Sequence, residues 1–258
     1  GAGIAYNEKT NSSYVINFNG NGATGGSTPS MSMTRGTAKN LTANGFTRTG
    51  YSFGSWNTKN NGTGTAYADK QSVKDLTTGT SITLYAIWKP ITYSIVFDGN
   101  GNTGGSTASM SMTYDAAKNL TANGFVKTGY VFDGWNTNAD GTGTKYTDKQ
   151  SVKNLSSVNG ATVTLYAKWK PITYTIRFDG NGATSGATAQ MSMTYDVAKN
   201  LTVNGFSKSG SHFTGWNTKA DGSGTGLYNK QSVKNLTAVN GAVVTLYAQW
   251  STNSYTVA

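Results

Sequence analysis

Residues 165–182 read LYAKWKPITYTIRFDGNG: an alternating apolar run ending in Trp169, a Lys-Pro pair, and a second alternating run that enters a glycine turn. Residues 84–101 read LYAIWKPITYSIVFDGNG and match that stretch at 15 of 18 positions across an offset of 81 residues. A stretch that recurs at a fixed offset marks a seam between repeats rather than a single hairpin. Followed through all 258 residues, the offset gives three copies, and the six tryptophans fall into two registers. Trp56, Trp135 and Trp216 stand in mid-copy, and Trp88, Trp169 and Trp250 close the copies. The expected organisation is a leader or the end of a preceding segment at 1–13, repeats at 14–88, 93–169 and 174–250, and the start of a truncated further repeat at 251–258, where Tyr255-Thr256-Val257 again opens a copy. Copies of 75 to 77 residues are long for a solenoid unit and near the lower limit for an independent core, so beads on a string are expected.

Composition narrows the function classes. Cysteine is absent, which removes disulfide frameworks and thiolate metal sites and points toward a bacterial surface protein or an intracellular one. No apolar run approaches the roughly 18 residues of a membrane span, so the chain is not expected to be membrane-embedded. Lys plus Arg number 21 against 11 acidic residues, a net charge of +10, and Glu8 is the single glutamate. Four basic positions recur in every copy: Lys39/Lys118/Lys199, Arg48/Lys127/Lys208, Lys70/Lys149/Lys230 and Lys74/Lys153/Lys234. They form either a solvated face that keeps Gly-, Ser- and Thr-rich repeats soluble or a polyanion-binding patch.

Within a copy, period-2 alternation dominates. In the third, Tyr174, Ile176 and Phe178 alternate with polar residues, as do Val244, Leu246, Ala248 and Trp250, and MSMTYD at 191–196 alternates too. SHFTGWNTK at 211–219 places Phe213 and Trp216 three apart, the spacing of a bulged strand. FDGNG, ADGSG and VNG mark turns, and a single helical turn is the best helix candidate at 204–210. The fold class expected is mainly β or small α+β, with about four strands and at most one short helix per module. Lys89-Pro90-Ile91-Thr92 and Lys170-Pro171-Ile172-Thr173 link the copies; such short proline links hold a preferred angle. Three modules in line would reach on the order of 100 Å, a monomeric rod.

The ordered set Y-x-I-x-F-D-G-N-G, G-Y-x-F-x-G-W-N-T, D-G-x-G-T and V-T-L-Y-A-x-W resembles the Listeria-Bacteroides repeat, the type found as the B repeat of internalin B, over nearly the whole chain. That resemblance implies a β-grasp-like module of four strands and a short helix, set in tandem as a stalk or accessory adhesive region on a bacterial surface, without catalysis. Copy one departs at Asn19 and at Gly54-Ser55, and copy three has Ser211 in place of tyrosine.

Other chemistry fits less well. Gly20 to Gly25 matches GxGxxG, but a Thr/Ser stretch with Pro29 follows where a dinucleotide fold needs a helix. Asp98-Gly99-Asn100-Gly101 lacks the closing carboxylate of a calcium loop. His212 replaces Ser52 and Val131, and no carboxylate position is shared by all copies, so no acid-base set and no acid-assisted Lys-Asn amide cross-link recurs. The NLT triplets at 40, 119 and 200 fit a glycosylation sequon incidentally. The tryptophans read as core filling rather than sugar platforms, while Tyr85, Tyr166 and Tyr247 face the opposite side. No cofactor, no metal, no catalytic residue and no specific nucleic acid partner is expected. Two readings remain: a semi-rigid stalk that presents an adhesive or signalling domain at the bacterial cell surface or cell wall, or a multivalent module binding acidic polysaccharide, a glycosaminoglycan or a cell-wall polymer, through the twelve basic positions; the partner expected is such a polysaccharide or a host or cell-surface receptor.

Overall fold

The computed structural model describes residues 1, 3 and 12–258; the expected leader falls largely outside them. Among the described residues there is no helix, and each repeat builds a five-stranded sheet of one common order. In the first repeat the four longer strands are β1 (Ser13–Asn19), β3 (Met31–Thr34), β6 (Tyr51–Asn57) and β9 (Ser81–Pro90), with the two-residue β7 (Ala66–Tyr67) at one edge. The order is β3-β1-β9-β6-β7. β1 runs antiparallel to β3 and parallel to β9, and β6 runs antiparallel to β9. Two further ladders of two residues each join β2 (Gly25–Gly26) to β5 (Phe46–Thr47) and β4 (Lys39–Asn40) to β8 (Ser72–Val73).

The four strands of the alternating pattern all form in the third repeat, at Thr173–Asp179, Met191–Thr194, Ser211–Asn217 and Val243–Thr252. The odd Phe213 to Trp216 spacing is a bulge: the register shifts between Phe213 and Gly215, which returns Trp216 to the core face. The short helix is a correction. Residues Phe206–Ser207 are instead extended and pair with Ser185–Gly186. Asn204 holds them so, accepting from the Phe206 amide at 2.8 Å and donating to its carbonyl at 3.1 Å. A side chain that satisfies both groups of a nearby residue competes with helical bonding.

One face of each sheet is dry. Tyr14, Ile16, Met33, Leu41, Trp56, Leu84 and Ala86 form the first core, and Tyr174, Ile176, Leu201, Trp216, Leu246 and Ala248 form the third. Trp56 is fully buried with Phe18, Phe53 and Phe46 at ring separations of 4.7, 5.0 and 6.3 Å, all tilted or edge-on as ring quadrupoles favour. The indole Nε1 of Trp56, Trp135 and Trp216 has no hydrogen-bond partner. Leaving a buried donor unmade costs free energy, so the volume of the ring outweighs its N–H at this position.

The chain divides into two compact units, one of 1–96, 109–120 and 150–163 and one of 97–108, 121–149 and 164–258. The first holds repeat one and the second repeat three, and the second repeat contributes to both. Within the second unit Leu246 is wholly buried in the third core. Leu246→Ala is expected to lower the stability of that repeat by about 2–5 kcal/mol, read as an earlier urea transition followed by Trp fluorescence.

Candidate functional site

The seam between copies is the most elaborated feature of the surface. In the first unit β9 ends at Pro90 and the next strand, Thr92–Asp98, begins after one residue. Pro90 pairs with Tyr51 at the end of β9, and Ile91 is buried. The Ile91 amide donates to the Gly50 carbonyl at 3.0 Å and its carbonyl accepts from the Tyr114 amide at 3.0 Å. The ring of Tyr114 packs against Gly50, whose φ is +79°; a Cβ there would stand 2.1 Å from ring atoms. Glycine is required both by the conformation and by the approach.

A polar lock closes the same seam. Tyr51 donates its hydroxyl to Asp115 Oδ2 at 2.5 Å, and Asn154 Nδ2 donates to Asp115 Oδ1 at 2.8 Å. The Asp115 amide donates back to Asn154 Oδ1 at 2.6 Å. Tyr51 meets Tyr114 edge-on at 5.8 Å, and Arg48 stacks its guanidinium over the Tyr51 ring at 3.9 Å. The second unit repeats the arrangement. Tyr130 donates to Asp196, Asn235 holds the other carboxylate oxygen, Lys127 sits 4.2 Å over the Tyr130 ring, and Tyr195 lies on Gly129. The hydrogen bond from tyrosine, then that from asparagine, pulls Asp115 and Asp196 below the ordinary carboxylate range. The same bond to the carboxylate holds Tyr51 and Tyr130 above the ordinary phenol value.

The twelve basic positions divide. Lys39, Lys118 and Lys199 turn back to the edge strand and donate to the carbonyls of Ser32, Ser111 and Ser192 at 3.3, 2.8 and 2.8 Å. Arg48 and Lys127 are spent on seam tyrosines, and Lys208 takes the same half-buried position in repeat three. Lys70, Lys149 and Lys230 adopt φ near +60°, and with Lys74, Lys153 and Lys234 they are exposed. In the first repeat Lys39 stands opposite Val73 on the β4–β8 ladder, which places it beside Lys74. Arg48 lies apart at the seam. Among the described residues no group of His, Cys, Asp or Glu could hold a metal ion, and no helix is long and apolar enough to cross a membrane.

The sequence reading missed two residue sets. One is the Tyr-Asp-Asn lock. The other is Asn21, Asn100 and Asn181, each in the left-handed region at φ 47 to 48°. Asn21 Nδ2 donates to the carbonyls of Asn60 and Ala86, both at 2.8 Å, while Trp88 Nε1 donates to the Gly20 carbonyl at 2.8 Å. The same bonds recur from Asn100 and Trp169 and from Asn181 and Trp250. The glycine turn is thus stapled to the closing strand.

Sequence comparison agrees with this architecture. The family model of the Listeria-Bacteroides repeat domain matches residues 14–87, 93–168 and 174–249, and the chain belongs to that family as three tandem repeats. It is 31% identical over 216 residues to a protein of Evansella cellulosilytica provisionally named as a Gly-rich membrane protein, covering 82% of this chain and 23% of that one. A second provisionally named membrane protein of the same organism is 29% identical over 177 residues, covering 66% and 24%. The chain therefore spans about a quarter of the length of these relatives. Among solved structures, the Bacillus anthracis TIE protein is similar at TM-score 0.34 and 13% identity, over 93% of this chain and 50% of that one. The pilus adhesin SpaC of Lactobacillus rhamnosus GG is similar at TM-score 0.20 and 12% identity, over 95% and 44%. Both likenesses are too slight to carry an argument.

The lock fixes a pH window. A carboxylate whose folded pKa is depressed contributes stability above its unfolded value of about 4, and that contribution is lost as pH falls through the folded value. A phenol whose folded pKa is raised contributes below about 10, and the contribution is lost as pH rises through the folded value. Amide exchange at Ile91 and Tyr114, measured by NMR with correction for intrinsic rates, is expected to be slowest between these limits. Tyr51→Phe should flatten the dependence at that seam and leave Ile172 and Tyr195 unchanged.

Proposed function

We propose that this chain is a non-catalytic segment of a bacterial cell-surface protein, acting as a semi-rigid stalk that holds an adhesive or signalling domain away from the envelope. The observation that supports it most directly is the seam: strand runs into strand through one buried isoleucine, and a Tyr-Asp-Asn lock closes over it in each unit. A stalk needs joints that resist bending, and these joints spend an apolar anchor, two ring contacts and a charge-assisted hydrogen bond on doing so. Membership of a repeat family supports the same reading, as does the provisional naming of two relatives as membrane proteins. Domain boundaries near 14–88, 93–169 and 174–250 belong to this proposal. The test uses dye pairs on cysteines introduced at exposed Ala43 and Ala122 in a chain that has no native cysteine. A narrow distance distribution by single-molecule energy transfer, broadened by Tyr51→Phe, is expected; a broad distribution in the parent overturns the stalk.

A second reading keeps one specific observation. Lys70, Lys74, Lys149, Lys153, Lys230 and Lys234 are exposed, on a chain of net charge +10. Repeated weak sites gain through effective concentration, so these six could grip an acidic polysaccharide. Retention on an immobilised sulfated glycan in near-physiological salt, lost when all six are changed to Gln, would favour adhesion. Absence of retention by the parent removes this reading.

A further inference from the structure

The first and last strands of a repeat are neighbours and run in the same direction. In the first repeat β1 and β9 pair in parallel from Val15↔Ser81 to Asn19↔Tyr85. In the third, Thr173–Asp179 and Val243–Thr252 pair from Thr175↔Val243 to Asp179↔Tyr247. The preceding chain enters at the start of β1 and the following chain leaves at the end of β9. Tension along the chain therefore pulls the two paired strands past each other from opposite ends. Every bond of the ladder then bears load together, instead of opening one after another as in a pair peeled from one end.

We propose that each repeat is a force-bearing clamp loaded in shear, with Asn21, Asn181, Trp88 and Trp250 as its staples. The staples stand where β1 ends. Asn21 donates to the Ala86 carbonyl and Trp88 to the Gly20 carbonyl, so the chain leaving β1 is tied to the middle and exit of β9. Asn181 and Trp250 do the same in the third repeat, at 2.8 Å to Ala248 and 3.0 Å to Gly180. Behind the ladder, Ile16 and Leu84, like Ile176 and Leu246, are wholly buried, so sliding the strands also exposes the core. At the seams one residue separates successive strands, which passes load from one clamp to the next without slack. The ligand of this surface is mechanical: a partner that pulls on the far end of the protein. The proposal rests on the stalk reading and adds that the stalk is built to carry tension.

The test is force spectroscopy on the whole chain. Held by its two termini, it is expected to yield repeated rupture events, each releasing about 250–280 Å of chain for a repeat of 77 residues. The force should be several-fold higher than when the third repeat is held by cysteines replacing exposed Thr173 and Val243, which loads the same strand pair from one end, the end away from the staples. Forced unfolding follows the unfolding barrier in the loaded direction rather than the overall stability. Asn181→Ala, and Trp250→Phe, which keeps an aromatic side chain but loses the indole N–H, should lower the terminal rupture force of the third repeat and leave the one-ended force unchanged. Equal forces in the two geometries overturn the clamp, and so does a staple variant that lowers both forces alike. Narrow joint distances with equal rupture forces would keep the stalk and remove the clamp.

Discussion

The parallel pairing of β1 with β9 is the constraint on which the rest of the repeat depends. Antiparallel neighbours can be joined by a tight turn, but parallel ones require the chain to travel back, and in most folds a helix makes that crossing. Here sixty-one residues lie between Asn19 and Ser81, and the chain returns through β3, the two small ladders and β6 instead. Those ladders are only two residues long, too short to stand alone. They persist because Leu41, Val73 and Phe46 pack onto the Trp56 core. The absence of a helix among the described residues thus follows from how the crossing is made: extended segments cover the sheet face that a helix would otherwise cover.

A small sheet with two open edges invites pairing with another copy. The repeated lysine and glutamine of each copy answer this. Lys39 and its equivalents cover an edge-strand carbonyl, and Gln71 and Gln231 accept from the amides of Ala68 and Tyr228 beside the other edge. Residues that looked like candidates for binding a partner therefore serve, in part, to refuse one. Such blunting suits a protein in which many sheets share one chain at high local concentration, where edge-to-edge mispairing between repeats would compete with folding.

Much of the fold was legible because it is written in period two. The four longer strands, the bulge before Trp216 and the Asn-Gly turns all rest on local rules of alternation, spacing and positive φ. The small ladders were not legible, since Phe206–Ser207 owes its extended form to bonds made by Asn204 and to Ser185–Gly186, none of which leaves a periodic trace. The Asn21 staple was hidden differently. Asn-Gly is so good a turn pair that its conformation explains the residue completely, and only the distant partner Ala86 reveals a second use.

The lock, by contrast, did leave a signal, in residues that vary together across the seams. Tyr51 faces Asp115 and Asn154, and Tyr130 faces Asp196 and Asn235. In repeat one the equivalent positions hold Arg35, Gly36 and Asp75. Arg35 reaches the carbonyls of Thr77 and Gly79, and Asp75 accepts from the Gly36 amide. In repeat three Ser211 stands in the tyrosine's place, Asn253 in that of the buried isoleucine, and His212 bonds Asn253 at 2.8 Å. Gly210 keeps its positive φ with nothing lying on it. Serine and asparagine in place of tyrosine and isoleucine thus exchange one set of specific hydrogen bonds for another, which is the pattern of a contact specified by side-chain geometry rather than by apolar area alone.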